Sequence, residues 1–304
     1  NIRISTTGHT PNNAFSWYAD GKGYQRSSRK ARDPGAWYHW VCVWDTNNST
    51  ALDRRIMYVN GERITDFYDN SNPSSGASSM INGARTMHIG ELVTYGIASE
   101  NLQGYLAEYH FVDGSALQPT DFGEYDDNGV WRPIEYTGSY GSNGWYLKFD
   151  PSATNGIGHD HSGNGNNFTA SGFSTTGTGT DVMSDTPTTN WCTLNPLDSG
   201  EFGGGITLSE GNLKAVSTSG DRHVRSTFFL PTSGKWYWEM TATTVNTAGY
   251  LATGLYHATG SLTSTAVATS QGRSYASSGY GNGGSWGATY VDGAIIGIAV
   301  DMEY

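Results

Sequence analysis

Apolar residues in this chain fall in short runs, some alternating and some continuous, separated by polar punctuation. The densest run is Trp37-Tyr38-His39-Trp40-Val41-Cys42-Val43-Trp44, apolar at odd and even positions alike. A strand with one wet face alternates, whereas one covered on both sides does not, so this run predicts a central strand inside a sandwich. A polar loop follows, then Arg55-Ile56-Met57-Tyr58-Val59 and the pair Asn60-Gly61. Asn-Gly is the favoured two-residue hairpin turn, because both positions need positive φ. Residues 34–67 therefore predict an antiparallel meander, and the rest of the chain is read around it.

Before it, Ile2-Arg3-Ile4 and Ala14–Tyr18 predict short strands joined by Gly- and Asn-rich turns. After it, residues 69–83 are a Ser/Asn/Gly/Pro loop, and Met87–Gly90 and Tyr105–Val112 predict further strands. In the latter, Tyr105, Ala107, Tyr109 and Phe111 form the set expected to face the core. Trp145–Phe149 predicts one more strand. Residues 151–190 are poor in apolar side chains, so they are expected to lie extended on other surfaces or to move freely. Near Trp191 the pattern resumes, with a hairpin over Thr207–Leu213 and strands at Gly234–Met240 and Gly293–Asp301. The domain reading is thus 1–122, a connecting segment 123–190 holding one strand, and 191–304.

Several of these pieces carry a resemblance. Asp33-Pro34-Gly35-Ala36-Trp37-Tyr38-His39 with Tyr58-Val59-Asn60-Gly61, Gly104 through Gly114, Phe122-Gly123-Glu124 through Pro133, Asn143–Leu147 and Ser162–Phe168 occur in an order that resembles the laminin-G/concanavalin-A-like β-sandwich. The version most similar is that of structural and tail-fibre proteins of marine bacteriophages. Gly234-Lys235-Trp236-Tyr237-Trp238-Glu239-Met240 and Gly293–Asp301 are similar to strands of the SPRY fold, itself a concanavalin-like sandwich. The resemblance implies an all-β protein of two antiparallel, jelly-roll-like sandwiches, each lacking strands at one chain end.

Composition sharpens this picture. Of 304 residues, 41 are Gly and only 15% are charged, which favours short strands and turns over helix. The net charge of −11 argues against nucleic acid or an anionic membrane as partner, since both attract Lys/Arg patches. Arg26, Arg29, Lys30 and Arg32 form the one basic cluster, read as a solvated hairpin loop, with an anion-binding patch as the alternative. Two cysteines make no disulfide framework, and Cys42 and Cys192 are both read as small buried fillers. No stretch approaches the ~18 apolar residues of a membrane-spanning helix.

The tempting catalytic motifs each have a plainer reading. Gly283-Gly284-Ser285-Trp286-Gly287 matches G-x-S-x-G, but a nucleophile elbow needs a helix behind it and a later His, and none follows His257. Glu124, Asp126 and Asp127 could supply a glycosidase pair, yet the run ends in the Asn128-Gly129 turn and no Glu-x-Asp-x-x-Glu strand exists. His159-Asp160-His161 suggests metal, but neighbouring residues in extended chain point opposite ways and no further ligand completes the set. Asp160 with Asn164 or Asn166 leaves Ca²⁺ open. No cofactor or catalytic residue is expected.

Residues 270–290 carry the strongest binding signal. Tyr275, Tyr280 and Trp286 sit among Ser, Gly and Asn, the composition of paratopes, and aromatic faces also stack on sugar rings. Tyr95, between strands of the first domain, is a weaker analogue. The alternative is that these rings cap a sheet or meet a neighbouring subunit. Together with the resemblance, this predicts a non-enzymatic virion-surface or tail-fibre protein that contacts host polysaccharide or glycoprotein and other virion subunits, as a homotrimer. A structural connector that binds no receptor, and a glycan hydrolase, are the alternatives.

Overall fold

The computed structural model describes residues 2–4, 14–18, 24–33, 36–78, 86–94, 97–102, 104–175, 181–183, 185–200, 206–217, 222–245, 251–257, 260, 262, 272–281 and 284–303. Among them every strand pairing is antiparallel, and the helical segments are three single turns of three residues each. The protein is all-β. Its sheets are small, of two to four strands. Two compact units result, Asn1–Trp191 and Cys192–Tyr304.

In the first unit, strands Ile2–Ile4, Ala14–Tyr18, Tyr24–Lys30 and Phe67–Asn70 form one sheet in that order. Strands Trp40–Trp44, Arg55–Val59 and Glu62–Arg63 form a second. Phe15 and Trp17 from the first sheet meet Met57, Val59 and Ile64 and the rings of Tyr38, Trp40 and Trp44 from the second. Phe15 lies edge-on to Trp40 at 5.4 Å and Trp17 lies 5.8 Å from Trp44. The other face of the second sheet carries Val41, Val43, Ile56 and Tyr58. The continuous apolar run at Trp40–Trp44 is therefore explained as expected: both of its faces are engaged.

Arg55 is fully buried beside Trp17, and one of its nitrogens donates to the Ser71 carbonyl. Burial pulls its pKa down to about 10. Asn60 and Gly61 turn the hairpin with φ of 50° and 80°. Arg26, Arg29 and Lys30 of the basic cluster read as a loop instead belong to the strand Tyr24–Lys30, whose inward positions are Gln25 and Ser27, and Arg32 follows it in irregular chain. Polar inward residues hide such a strand from an apolar-alternation reading. Gln25 donates to the Arg55 carbonyl at 2.9 Å, and Ser27 accepts from the Phe15 amide, while the Gln25 Oε1 is buried with no partner among the described residues.

The segment 123–190 belongs with this unit. Gly123–Tyr125 pairs with Trp131–Pro133, and Trp145–Leu147 pairs with Tyr109–Phe111. Tyr109 and Phe111 pack on Trp145, as the core-facing set should, while Tyr105 stays exposed before the strand begins. Residues 141–168 fold into a knot rather than lying loose. Asp160 is buried and accepts from the amides of Tyr146, Ser162 and Asn166 and from the Ser162 hydroxyl, at 2.8–2.9 Å. Asn164 and Asn166 donate their side-chain amides to the Gly144 carbonyl. The stretch is thus ordered by side-chain hydrogen bonds together with a few buried apolar residues, Trp145, Leu147 and Ile157, with Phe168 against Trp145.

In the second unit, Leu194–Gly200 pairs with His223–Ser226, and Ile206–Ser209 with Lys214–Ser217 through the expected turn. Arg225 grips Asp198 with two bonds of 2.6 and 2.9 Å and donates to the carbonyls of His257 and Gly260. Lys235–Ala242 and Ala294–Asp301, predicted separately, pair with each other over eight positions. Cys192 is exposed rather than buried, because Thr193 takes the inward position beside Thr227.

Candidate functional site

The residues singled out at 270–290 belong to a four-stranded meander in the second unit: Ala252–Tyr256, Gly272–Ala276, Tyr280–Gly281 and Gly284–Ser285. Its base is tightly pinned. Tyr290 is buried, donates its hydroxyl to the Leu251 carbonyl and bonds through its amide to the Ser277 carbonyl at 3.0 Å. Burial pushes its pKa up to about 12. Tyr275 lies 5.5 Å from the Tyr290 ring and donates to the Ala288 carbonyl. Tyr275 thus belongs to the support.

Tyr280 and Trp286 belong to the outside, at 61% and 53% exposure. The Trp286 amide donates to the Gly279 carbonyl at 2.9 Å, and its ring covers Gly281, where a Cβ would stand 2.2 Å from the indole. Tyr280 pairs with Ser285, so strand alternation turns its ring to the face opposite Gly281 and Trp286. The hairpin is a blade with one ring on each side. Ser285 is followed by irregular chain through Tyr290, which supplies no helix for a nucleophile elbow. Tyr95 lies outside the described residues.

Of the carboxylates considered for catalysis, Asp126 is committed elsewhere. Asp126 accepts from Arg132 at 2.5 Å and from the amides of Val130 and Asn128, and these bonds, that to Arg132 foremost, hold it below the usual carboxylate range. It is the cap of the turn between Gly123–Tyr125 and Trp131–Pro133. For Asp160, burial pushes the pKa up, but its four donors outweigh burial and hold it low. Those donors are N–H and O–H groups, which occupy the positions where a Ca²⁺ would require oxygens. No group of three metal-ligating side chains occurs among the described residues.

Several perturbed groups of the first unit cluster around His110. Its ring stacks 4.2 Å from Tyr146, and its Nδ1 lies 2.8 Å from the Tyr140 hydroxyl. Tyr146 donates to Glu108. Burial lowers His110 to about 4, with a further push from nearby His39. His39 itself is lowered to about 4 by burial, and its Nδ1 accepts from the Trp131 indole at 2.8 Å. Both imidazoles are thus neutral acceptors or donors within packed aromatic walls.

Sequence reasoning passed over one concave site. Arg29, Lys30, Glu62, Tyr38, Tyr125 and Trp131 line a cleft of about 320 Å³ over Phe15 and Val59. Its signal was present, as two aromatics flanking the Asp126–Gly129 turn, but that turn was weighed only for its carboxylates. Comparison of the chain with protein-family models, with curated proteins and with solved structures finds no match.

Proposed function

We propose that the protein is a non-enzymatic adhesion component of a virion surface, of tail-fibre type, that touches host glycan through exposed aromatic rings. The observation that carries this is the blade at Tyr280 and Trp286, two large rings held outward by a pinned base. A rigid ring offers an apolar face to a sugar at small entropic cost. One ring per side makes a weak contact, so useful attachment requires many copies, as in a trimeric fibre, where effective concentration multiplies weak sites. The phage affiliation and the paired laminin-G-like and SPRY-like domains rest on the motif resemblance. The acidic balance of −11 suits a particle surface and disfavours nucleic acid.

The test is a glycan array probed with the protein clustered on beads. Binding that disappears in the double variant Tyr280→Ala/Trp286→Ala, with unchanged melting, supports the reading. Failure of clustered wild-type protein to bind any glycan would sink it in favour of a structural connector. One observation favours that second reading: Phe228, Phe229, Tyr237, Val291 and Ile295 of the second unit are all exposed. Apolar surface of this kind marks protein contacts.

A further inference from the structure

We infer that the cleft of the first unit is a separate binding site for a carboxylate-bearing sugar residue of an acidic polysaccharide. Its shape comes first. The Trp131 indole lies directly against the backbone at Gly61, where a Cβ would stand 2.4 Å from the ring, and its N–H is spent on His39. Tyr125 stands edge-on to Trp131 at 4.9 Å, and its hydroxyl donates to the Asn60 carbonyl at 2.9 Å. The rings are therefore fixed before any ligand arrives, yet half of Tyr125 remains exposed. Preorganised rings lose little entropy on binding. A volume of about 320 Å³ is at the small end of ligand sites, which suits one sugar ring better than a peptide helix or strand.

Charge then selects the ligand. In this unit Arg26, Arg29, Arg63 and Arg132 each meet a carboxylate. Lys30, on the rim, meets none among the described residues. Arg29 and Lys30 against the single Glu62 leave the lining one positive charge in excess, on a chain of net charge −11. A uronate places its carboxylate and its apolar C–H face on one small ring, so the first can reach Lys30 while the second covers Tyr125. A neutral sugar satisfies only the rings, and an acidic peptide only the charge.

The experiment titrates the whole protein calorimetrically with a galacturonate hexamer, a neutral galactose hexamer and a glutamate hexamer. The uronate is expected to bind, with the neutral sugar at least about tenfold weaker and the response falling as salt screens the rim. Lys30→Glu should weaken uronate binding by about tenfold or more, while Lys30→Arg stays within about twofold. Lys30 is exposed, so neither change threatens folding; Tyr125→Ala, checked by its melting curve, should also lower affinity. Leu197→Ala, at an exposed position of the second unit outside both the cleft and the blade, should leave uronate binding unchanged. The inference is overturned if uronate shows no heat up to about 10 mM, if Lys30→Glu binds as wild type, or if either the neutral sugar or the glutamate peptide binds as tightly.

Discussion

The two units solve the same problem of burial in different ways. The first packs two sheets face to face, and Phe15, Trp17, Met57 and Ile64 vanish from solvent between them. In the second, the hydrophobic side chains buried among the described residues are Ala242 and Tyr290, while its longest ribbon shows Tyr237 and Ile295 to water. What holds the second unit is a set of polar pins, Arg225 on Asp198 and the tyrosine hydroxyls on backbone carbonyls. An apolar core gives a cooperative body; polar pins fix local geometry and leave large rings available for contact.

The sharpest way to break this contrast is core truncation. Trp17→Ala should cost the first unit about 3–5 kcal/mol, whereas Ile295→Ala in the second should cost under about 0.5 kcal/mol. Calorimetric melting of the whole chain measures both, and equal losses would erase the contrast. Acid comes next. His39 and His110 titrate near 4 in the folded state and near 6.5 when unfolded. The unfolded chain binds these protons first, so stability is complete above pH 6.5 and drains away as pH falls toward 4. The loss is on the order of 2–3 kcal/mol for each imidazole. Urea midpoints of the first unit's transition, identified by its shift in Trp17→Ala, should fall across that window, and a flat profile would refute the buried-neutral assignment.

Smaller effects refine the comparison. Asp160→Ala strips four bonds from the knot, leaving it the apolar packing of Trp145, Leu147, Ile157 and Phe168, and should cost about 1–3 kcal/mol. Proteolysis should then cut residues 141–168 first, and uncut protein would show that the knot has other support. Arg225→Lys removes the two-pronged grip on Asp198 and should cost about 1–2 kcal/mol in the second unit's melting alone. Tyr280→Ala, on a ring that supports nothing, should shift melting by no more than about 0.5 kcal/mol equivalent. A larger shift would move Tyr280 from display to support.

How far the chain could be read in advance varies with what orders each segment. The meander at 34–67 was legible because apolar runs and Asn60-Gly61 act locally. The strand Tyr24–Lys30 was not, since its inward Gln25 and Ser27 are paid for by partners on other strands. Residues 151–168, the first part of the stretch 151–190 expected to be loose, are held by the Asp160 hydrogen bonds, which, unlike apolar side chains, leave no mark on composition.

The same division holds for the sites. Loop composition by itself singled out Tyr275, Tyr280 and Trp286 as candidates, but only the packed meander turned Tyr275 inward to Ala288 and sent Tyr280 and Trp286 to opposite faces. The cleft between Lys30 and Tyr125 exists only because distant stretches of chain meet there. Local residue chemistry determines strands and turns, since these depend on neighbours in sequence. Which rings face water, and which charges lack a partner, depends on neighbours in space, and those are settled only when the sheets close on one another.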